Sequence, residues 1–479
     1  LYLYNGPEYL EGMYGAFKAR TVPFNVNYRY VEDELAYLLE DAGARALIYH
    51  LEFAPRLAPI ADRLKGLELL IAVDDGSGQQ PLAGSVMYED ALAAAVPEVM
   101  PDDLSPDDLY MVYTGGTTGK PKGVMWRQAD IFAAALGGRP RPESDGEYGS
   151  VEEILARVRG QRHHLTVLPA PPLMHGAAQW SSMHTFNNGG CVVMQKDTRR
   201  LDATDIWATI EAEKAARLLI IGDAFARPLL DELRSSSYDL SSLRIIVSGG
   251  VALSADLKSE LMERIPGLRI LDTIGSSESG NQGNLISDHG EKAETGVFVP
   301  AAGNLVLDAD MERVLEAGDP DTGWFARMGR IPLGYLGDEK KTRATFPELD
   351  GTRYSVPGDR ARLSSDGRIE LLGRESVTVN SGGEKIFVEE VEQALKEHAS
   401  VYDAVVTGRP SQRWGQELVA VVQLTLGAEA DESSLRQACA ARLAPFKLPK
   451  AFVFTDSIQR SPAGKTDYAW ARRVAEEAR

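Results

Sequence analysis

Short, continuous apolar runs recur along this chain, most of them with a helical stretch in between. They lie at 67–73, 165–168, 191–194, 218–221, 243–247 and 268–271. A strand with one wet face alternates apolar and polar residues, whereas a strand buried on both faces need not. The pattern therefore predicts an α/β fold with largely parallel sheets. An early unit reads the same way. Residues 31–42 have helical periodicity with Leu35, Leu38 and Leu39 on one face, Gly43 ends the helix, and 45–49 reads as a strand. At 479 residues the chain is too long for one ordinary compact domain and long enough for a large core.

The net charge of −19 argues against general nucleic-acid binding, which needs a basic face. Any phosphate ligand must be held by local donors against that field. Cys191 and Cys439 are far apart, lie in apolar contexts and have neither metal nor disulfide spacing, which fits a reducing, cytoplasmic setting. No apolar run approaches the ~18 residues of a membrane span. The start, Leu1-Tyr2-Leu3-Tyr4, has no initiator methionine and no signal-peptide pattern, and it reads like the middle of a domain.

The strongest local signal is a polar loop after the apolar stretch 109–113. It runs Thr114, Gly115, Gly116, Thr117, Thr118, Gly119, Lys120, Pro121, Lys122. The glycines let backbone N–H groups approach an anion, the threonines add hydroxyl donors and the lysines add charge, a combination that suits a polyphosphate. It is not a Walker A loop, because Thr114 and Pro121 stand where that pattern needs glycine and Ser or Thr. Pro121 also disfavours helical geometry at Lys120, so no helix is expected to open there.

Other candidates follow. His175 comes after a strand and the pair Pro171-Pro172, where a loop can present it; a lone histidine is more often structural than functional. Gly249 and Gly250 end a strand and permit close approach of a ring or chain, or form an ordinary turn. Glu278 stands beside Ser276, Ser277 and Ser279 at a strand end, an oxygen set that suits Mg²⁺ sharing substrate phosphates. Asp359 follows Pro357-Gly358, and Lys465 follows Pro462-Ala463-Gly464, each in a turn. Trp180 reads as core packing, and His163, His164 and His184 as structural or exposed. Residues 139–150 form a surface loop rich in Pro, Gly and acids, followed by an amphipathic helix at 151–159, with a solvated excursion as its plain reading.

In order, these motifs resemble those of the adenylate-forming enzymes, which include acyl-CoA synthetases, peptide-synthetase adenylation domains and firefly-type luciferases. The loop 113–123 is close to Tyr-Thr-Ser-Gly-Thr-Thr-Gly-x-Pro-Lys-Gly, with Gly115 in the serine position. Residues 274–278 resemble Tyr-Gly-x-Thr-Glu, with Ile274 for the tyrosine that stacks on adenine and Ser277 for threonine. Tyr354 to Asp359 resembles Tyr-x-Thr-Gly-Asp, with Pro357 for threonine. Gly373-Arg374-Glu375-Ser376 resembles the hinge Gly-Arg-x-(Asp/Lys), and 462–465 resembles Pro-x-Gly-Lys.

The resemblance covers essentially the whole chain and carries these expectations. The fold is α/β, with a large N-terminal domain of parallel-rich sheets over 1–373 whose opening segment is missing, a hinge at 374–377, and a small mobile C-terminal α/β domain over 378–479. Within the small domain, helices are expected at 388–397 and 434–443 and strands at 405–406, 418–426 and 451–455. ATP and AMP are held by Thr114 to Lys120, Ser277, Asp359 (ribose hydroxyls) and Arg374. Glu278 is associated with Mg²⁺. His175, Gly249 and Gly250 face the acyl group. Lys465 is catalytic, acting as a charge and donor that needs no lowered pKa. Gly382, Gly383 and Glu384 meet CoA after rotation about Ser376. The activity implied is ligation of a carboxylic acid to CoA through acyl-AMP, the acid being a medium- or long-chain fatty acid or a steroid side-chain acid. Transfer of an acyl or aminoacyl group to a carrier protein is the alternative. A homodimer is compatible with the sequence.

Overall fold

The computed structural model describes residues 1–96, 103–114, 120–143, 146–161, 165–290, 294–381, 384–462 and 464–478. The loop glycines and threonines 115–119, the pair Gly382 and Gly383, His163, His164 and Ala463 lie outside the described residues.

The parallel strands foreseen from the apolar runs form one half of the main sheet. Cys191–Val192, Thr166–Pro169, Arg217–Ile220, Ile245–Gly249 and Arg269–Ser276 lie side by side in that order, all parallel. The other half is antiparallel, a feature that the apolar runs alone do not carry. Arg269–Ser276 turns back into Gly280–Ser287, and the sheet continues through Val297–Pro300, Ile369–Arg374, Asp359–Leu363 and Thr322–Met328. These later strands mix polar with apolar residues, as expected of strands with a wetter face. A separate antiparallel set pairs Leu109–Thr114 with Lys122–Arg127, so a strand and not a helix follows Pro121.

Two cores flank the parallel strands. Leu168, Leu218, Ile246 and Ile270 pack on one side with the helices Ala203–Glu213, Gly222–Ser235 and Ala255–Arg264. Leu219, Ile245, Val247 and Leu271 face the other side, toward Gln128–Ala135 and Gly176–Asn187. Alternate residues of one strand thus serve both cores. Cys439 is buried, and burial pushes its thiol up to about 11. Cys191 is exposed, contrary to its apolar context, because it opens an edge strand of only two residues.

The last strand of the large sheet ends at Arg374, a short turn spans Glu375–Val377, and Val379–Ser381 already pairs within a second sheet. That small lobe has its own core, in which Val391, Leu395, Val406, Ala420, Leu435 and Cys439 meet. Its helices are Val388–Lys396, Glu432–Ala440 and Tyr468–Glu477, and its long strands are Val401–Ser411 and Gly415–Leu424. Among the described residues, no helix is long and apolar enough to cross a membrane.

Glu392 is buried under the first of these helices and accepts the Val406 N–H at 3.0 Å. Burial pushes its carboxyl up to about 8, against the opposing charge of Lys396. The folded protein therefore holds a proton that the unfolded chain releases near its ordinary 4.5, so stability falls as pH rises between about 4.5 and 8. Glu392→Gln keeps an acceptor for Val406 and removes the titration. Its melting temperature relative to the unsubstituted protein is expected to rise by several degrees between pH 5 and pH 8.5, of the order of 1–2 kcal/mol; a parallel pH dependence of the two proteins would contradict this.

Candidate active site

Glu278 sits in the turn of the hairpin that Arg269–Ser276 forms with Gly280–Ser287, and a register shift between Ile274 and Gly275 re-aims the chain just before it. Three contacts immobilise the turn. The Tyr335 hydroxyl donates to Glu278 Oε1 at 2.9 Å, Ser355 Oγ donates to the Glu278 carbonyl at 2.7 Å, and Trp126 Nε1 donates to the Ser277 carbonyl at 2.9 Å. Burial and the Glu278 charge hold the Tyr335 phenol well above its ordinary pKa, so it stays a donor. Tyr335→Phe is expected to raise the KM for magnesium–ATP about three- to tenfold, the loss of one hydrogen bond to a charged group. An unchanged KM in initial-rate kinetics would show that Glu278 is held without Tyr335. Ile274 packs beside Val306, Phe325 and Ile369, so its side chain belongs to the core under the hairpin.

Asp359 and Arg374 face each other across two antiparallel strands. Arg374 Nε donates to Asp359 Oδ1 at 3.0 Å, and Asp359 is the cause that chiefly raises the arginine pKa. Oδ2 of Asp359 forms no hydrogen bond among the described residues, which leaves an acceptor for a ligand hydroxyl.

Lys465 reaches these groups from the small lobe. Ser461 Oγ accepts its backbone N–H at 3.2 Å, and Gly464 before it adopts φ +67° against the large lobe. A Cβ on Gly464 would lie 3.2 Å from both Ile221 and Ala224. Lys465 sits at the junction of the lobes with its side chain accessible. Burial lowers its pKa, Arg374 lowers it further, and Glu278 and Asp359 oppose both. The role of charge and donor needs no lowered pKa, yet confinement among these groups lowers it. His175, the residue before the helix Gly176–Asn187, is pushed down to about 3 by burial and then by Lys465, so it is neutral. Its Nε2 is buried and unpartnered.

His175, Glu278, Asp359 and Arg374 are therefore all within electrostatic reach of Lys465. Several contacts between described residues join the lobes, among them the Arg374 N–H donated to Glu389 Oε1 at 3.3 Å. Lys396 lies 3.9 Å from Asp223, Arg227 stacks over Tyr402 at 5.3 Å, and the Tyr402 hydroxyl donates to Asp231 at 3.5 Å.

The remaining sequence candidates fall in different places. Thr114 ends its strand opposite Lys122, and Lys120 rests on the Tyr37 ring at 4.2 Å. Lys122 is paired with Asp338, so its charge is already engaged. Gly249 lies beside Thr273, whose Oγ1 would be 2.6 Å from a Cβ there, and Gly250 needs its φ of +79° to leave the strand. Ser277 is half-buried in the Glu278 turn. Ser376 is exposed in the turn between the lobes. Glu384 is exposed in the hairpin with Val379–Ser381 and has no ion pair among the described residues. Trp180 is half-buried and donates to the Tyr110 hydroxyl at 3.1 Å. Sequence reasoning missed Tyr335, Ser355 and Trp126, which position Glu278 from distant segments and carry no local motif. His184, read as structural or exposed, is half-buried, and burial pushes it down to about 4.

A family model described as AMP-binding enzyme matches residues 1–324, and one described as AMP-binding enzyme C-terminal domain matches 390–465. The chain belongs to the AMP-binding enzyme family. This AMP-binding enzyme is 50% identical over 476 residues to the medium-chain acyl-CoA ligase Mig of Mycobacterium avium, covering 99% of this chain and 86% of the relative. It is 40% identical to the 3-oxocholest-4-en-26-oate–CoA ligase of Rhodococcus rhodochrous, covering 98% of this chain and 85% of the relative. With such relatives over nearly its whole length, the enzyme stands in the acyl-CoA synthetase branch of the adenylate-forming superfamily. Its fold is that of the anthranilate CoA ligase AuaEII, solved with anthranoyl-AMP, at a TM-score of 0.82 and 22% identity, covering 100% of this chain and 87% of that one. ATP-bound MatB from Rhodopseudomonas palustris gives 0.81 at 23% identity, covering 99% and 88%.

Proposed function

We propose that the protein joins a carboxylic acid to CoA in two steps at the expense of ATP. The observation that carries this reading is the convergence of Lys465 from one lobe with Glu278, Asp359, Arg374 and His175 from the other. In the first step a carboxylate oxygen attacks the α-phosphorus of ATP, the bond to the β-phosphate bridging oxygen breaks, and pyrophosphate leaves. Negative charge gathers on the α-phosphate and must meet donors already in place. Lys465 supplies a cation that bridges carboxylate and phosphate. Asp359 accepts the ribose hydroxyls through the oxygen that Arg374 leaves free. The loop from Thr114 to Lys120 embraces the outer phosphates.

Glu278 offers one oxygen to Tyr335 and the other to a metal, and no described group of three or more acids, histidines or cysteines forms a protein-only metal cage. That donor set fits Mg²⁺, which keeps water and substrate phosphates as its main ligands. When bound, the metal neutralises phosphate charge. Neutral His175 lines the path between nucleotide and acyl group without adding charge.

In the second step the CoA sulfur attacks the acyl carbon and AMP leaves. No covalent enzyme nucleophile is needed, since the acyl group is already activated. Lys465 must withdraw, and the hairpin carrying Gly382, Gly383 and Glu384 takes its place by rotation over 374–377, at Ser376. The medium-chain and steroid-acid ligases among the relatives support a medium- or long-chain fatty or steroid side-chain acid as substrate and CoA rather than a carrier protein as acceptor. A reaction that draws on ATP and CoA suits the cytoplasm.

The test is a mass-spectrometric product assay with ATP, Mg²⁺ and acids from acetate to steroid acids, with and without CoA. Acyl-CoA and AMP are the expected products. Acyl-AMP that persists in the presence of CoA would overturn the CoA step.

A further inference from the structure

Lys465 stands in a turn whose backbone is tied to itself. The Ser461 N–H donates to the Lys465 carbonyl at 2.8 Å, and Arg460 and Thr466 face each other in an isolated antiparallel bridge just outside that bond. The Arg460 side chain, only 10% exposed, folds over this turn. Its Nη1 donates to the Gly464 carbonyl and to Thr466 Oγ1, each at 3.0 Å, so one nitrogen grips the chain on both sides of the lysine. Nε and Nη2 donate to the two oxygens of Asp403, each at 2.8 Å. Asp403 belongs to the strand Val401–Ser411, which runs through the core of the small lobe. The fork of a guanidinium can hold a carboxylate with two nitrogens and still donate from the third, which a single ammonium nitrogen cannot.

The chain of charges continues into the large lobe. Lys396 Nζ lies 3.4 Å from Asp403 and 3.9 Å from Asp223. Asp223 is buried, accepts the Ser254 N–H at 2.8 Å and has Arg227 at 4.0 Å. It stands between Ile221 and Ala224, the two residues against which Gly464 rests. One patch of the large lobe therefore meets the lysine turn twice: directly through Gly464, and indirectly through Asp223, Lys396, Asp403 and Arg460. Burial alone would raise the Asp403 carboxyl, but Lys396 and Arg460 outweigh it and bring it down to about 2, so Asp403 is ionised. A buried carboxylate that loses its partner is left uncompensated, so this chain of ion pairs tolerates few arrangements.

Resting on the ligase reading above, we propose that Arg460 is a positioning residue for Lys465: it fixes the backbone on either side of the lysine, and Asp403, Lys396 and Asp223 tie that grip to the docked large lobe. A lysine stem is flexible, so where its ammonium reaches depends on how firmly its backbone is held. A displacement of about 1 Å at a reacting group can cost about 10²-fold in rate. Arg460 touches no reacting atom in this scheme. Its effect on the reaction passes through Lys465 and must vanish when the lysine is gone.

The test is a double-mutant cycle on the adenylation of octanoate, read as pyrophosphate release, with thiolation of supplied octanoyl-AMP measured beside it. The proteins are the unsubstituted enzyme, Arg460→Met, Arg460→Lys and Asp223→Asn, each made with Lys465 and with Lys465→Ala. Arg460→Met is expected to lower kcat for adenylation about 10- to 100-fold, with KM for ATP changed less than about threefold. Thiolation should stay within about twofold. Arg460→Lys should recover part of the loss, because an ammonium keeps a charge for Asp403 but not the fork. Asp223→Asn, which keeps an acceptor for Ser254, should cost about three- to tenfold in adenylation. With Lys465→Ala, none of the three should lower adenylation further by more than about twofold. An equal loss in both backgrounds, or an equal loss in both half-reactions, assigns Arg460 a merely structural role and overturns the inference while leaving the ligase intact. Full adenylation by Arg460→Met overturns it too. Should Arg460→Met fail to fold, the cycle with Asp223→Asn decides in the same way. No AMP from octanoate or any other acid of the panel with the unsubstituted enzyme overturns the ligase reading and the inference together.

Discussion

Lys465→Ala is expected to lower acyl-AMP formation about 10²- to 10³-fold, the loss typical of one preorganised donor at developing charge. Thiolation of supplied acyl-AMP should proceed almost unchanged, because Lys465 belongs only to the arrangement in which Gly464 rests on Ile221 and Ala224. Pyrophosphate release for the first half and acyl-CoA formation for the second separate the two. Retained adenylation would remove Lys465 from its assigned place. The direction of its pKa shift adds a pH signature. A lysine lowered by burial and Arg374 loses its proton earlier than an ordinary one as pH rises. Adenylation should therefore fall on the alkaline side before thiolation does, and coincident alkaline limbs would contradict the assignment.

Glu278→Gln is the second large effect. The amide keeps the shape and an acceptor for Tyr335, but removes the charge offered to the metal. Adenylation is expected to drop about 10- to 100-fold, roughly 1.4–2.7 kcal/mol, and to recover in part when Mg²⁺ is raised. The melting temperature should stay within a degree or so, since the Ser355 and Trp126 contacts to this turn use backbone carbonyls that the substitution leaves in place. Full activity with an unaltered Mg²⁺ dependence would show that Glu278 does not serve the metal.

Much of this was legible in the chain itself. Runs such as 218–221 and 243–247 are apolar because they lie between two cores, and their continuity predicts parallel strands. Asp359, Arg374 and Lys465 stand in short motifs that set the local backbone, so their candidacy is visible in order along the sequence. What was not legible comes from pairing between distant segments. Tyr335 reaches Glu278 across 57 positions, and no local pattern encodes that bond. The antiparallel half of the sheet was missed for a similar reason: Thr322–Met328 and Asp359–Leu363 read as mixed polar stretches until they pair.

The small lobe's core draws on residues from Val377 to Tyr468 and shares none with the cores of the large lobe. This has a consequence for heredity. A genetic crossover at the turn Glu375–Val377 splices two intact cores rather than cutting through either. The docking contacts around Gly464, Lys396, Tyr402 and Glu389 must be rematched. Recombinants between related genes at that point should fold readily, with any defect confined to turnover, so the boundary offers lineages a place to exchange one half of the enzyme without rebuilding the other.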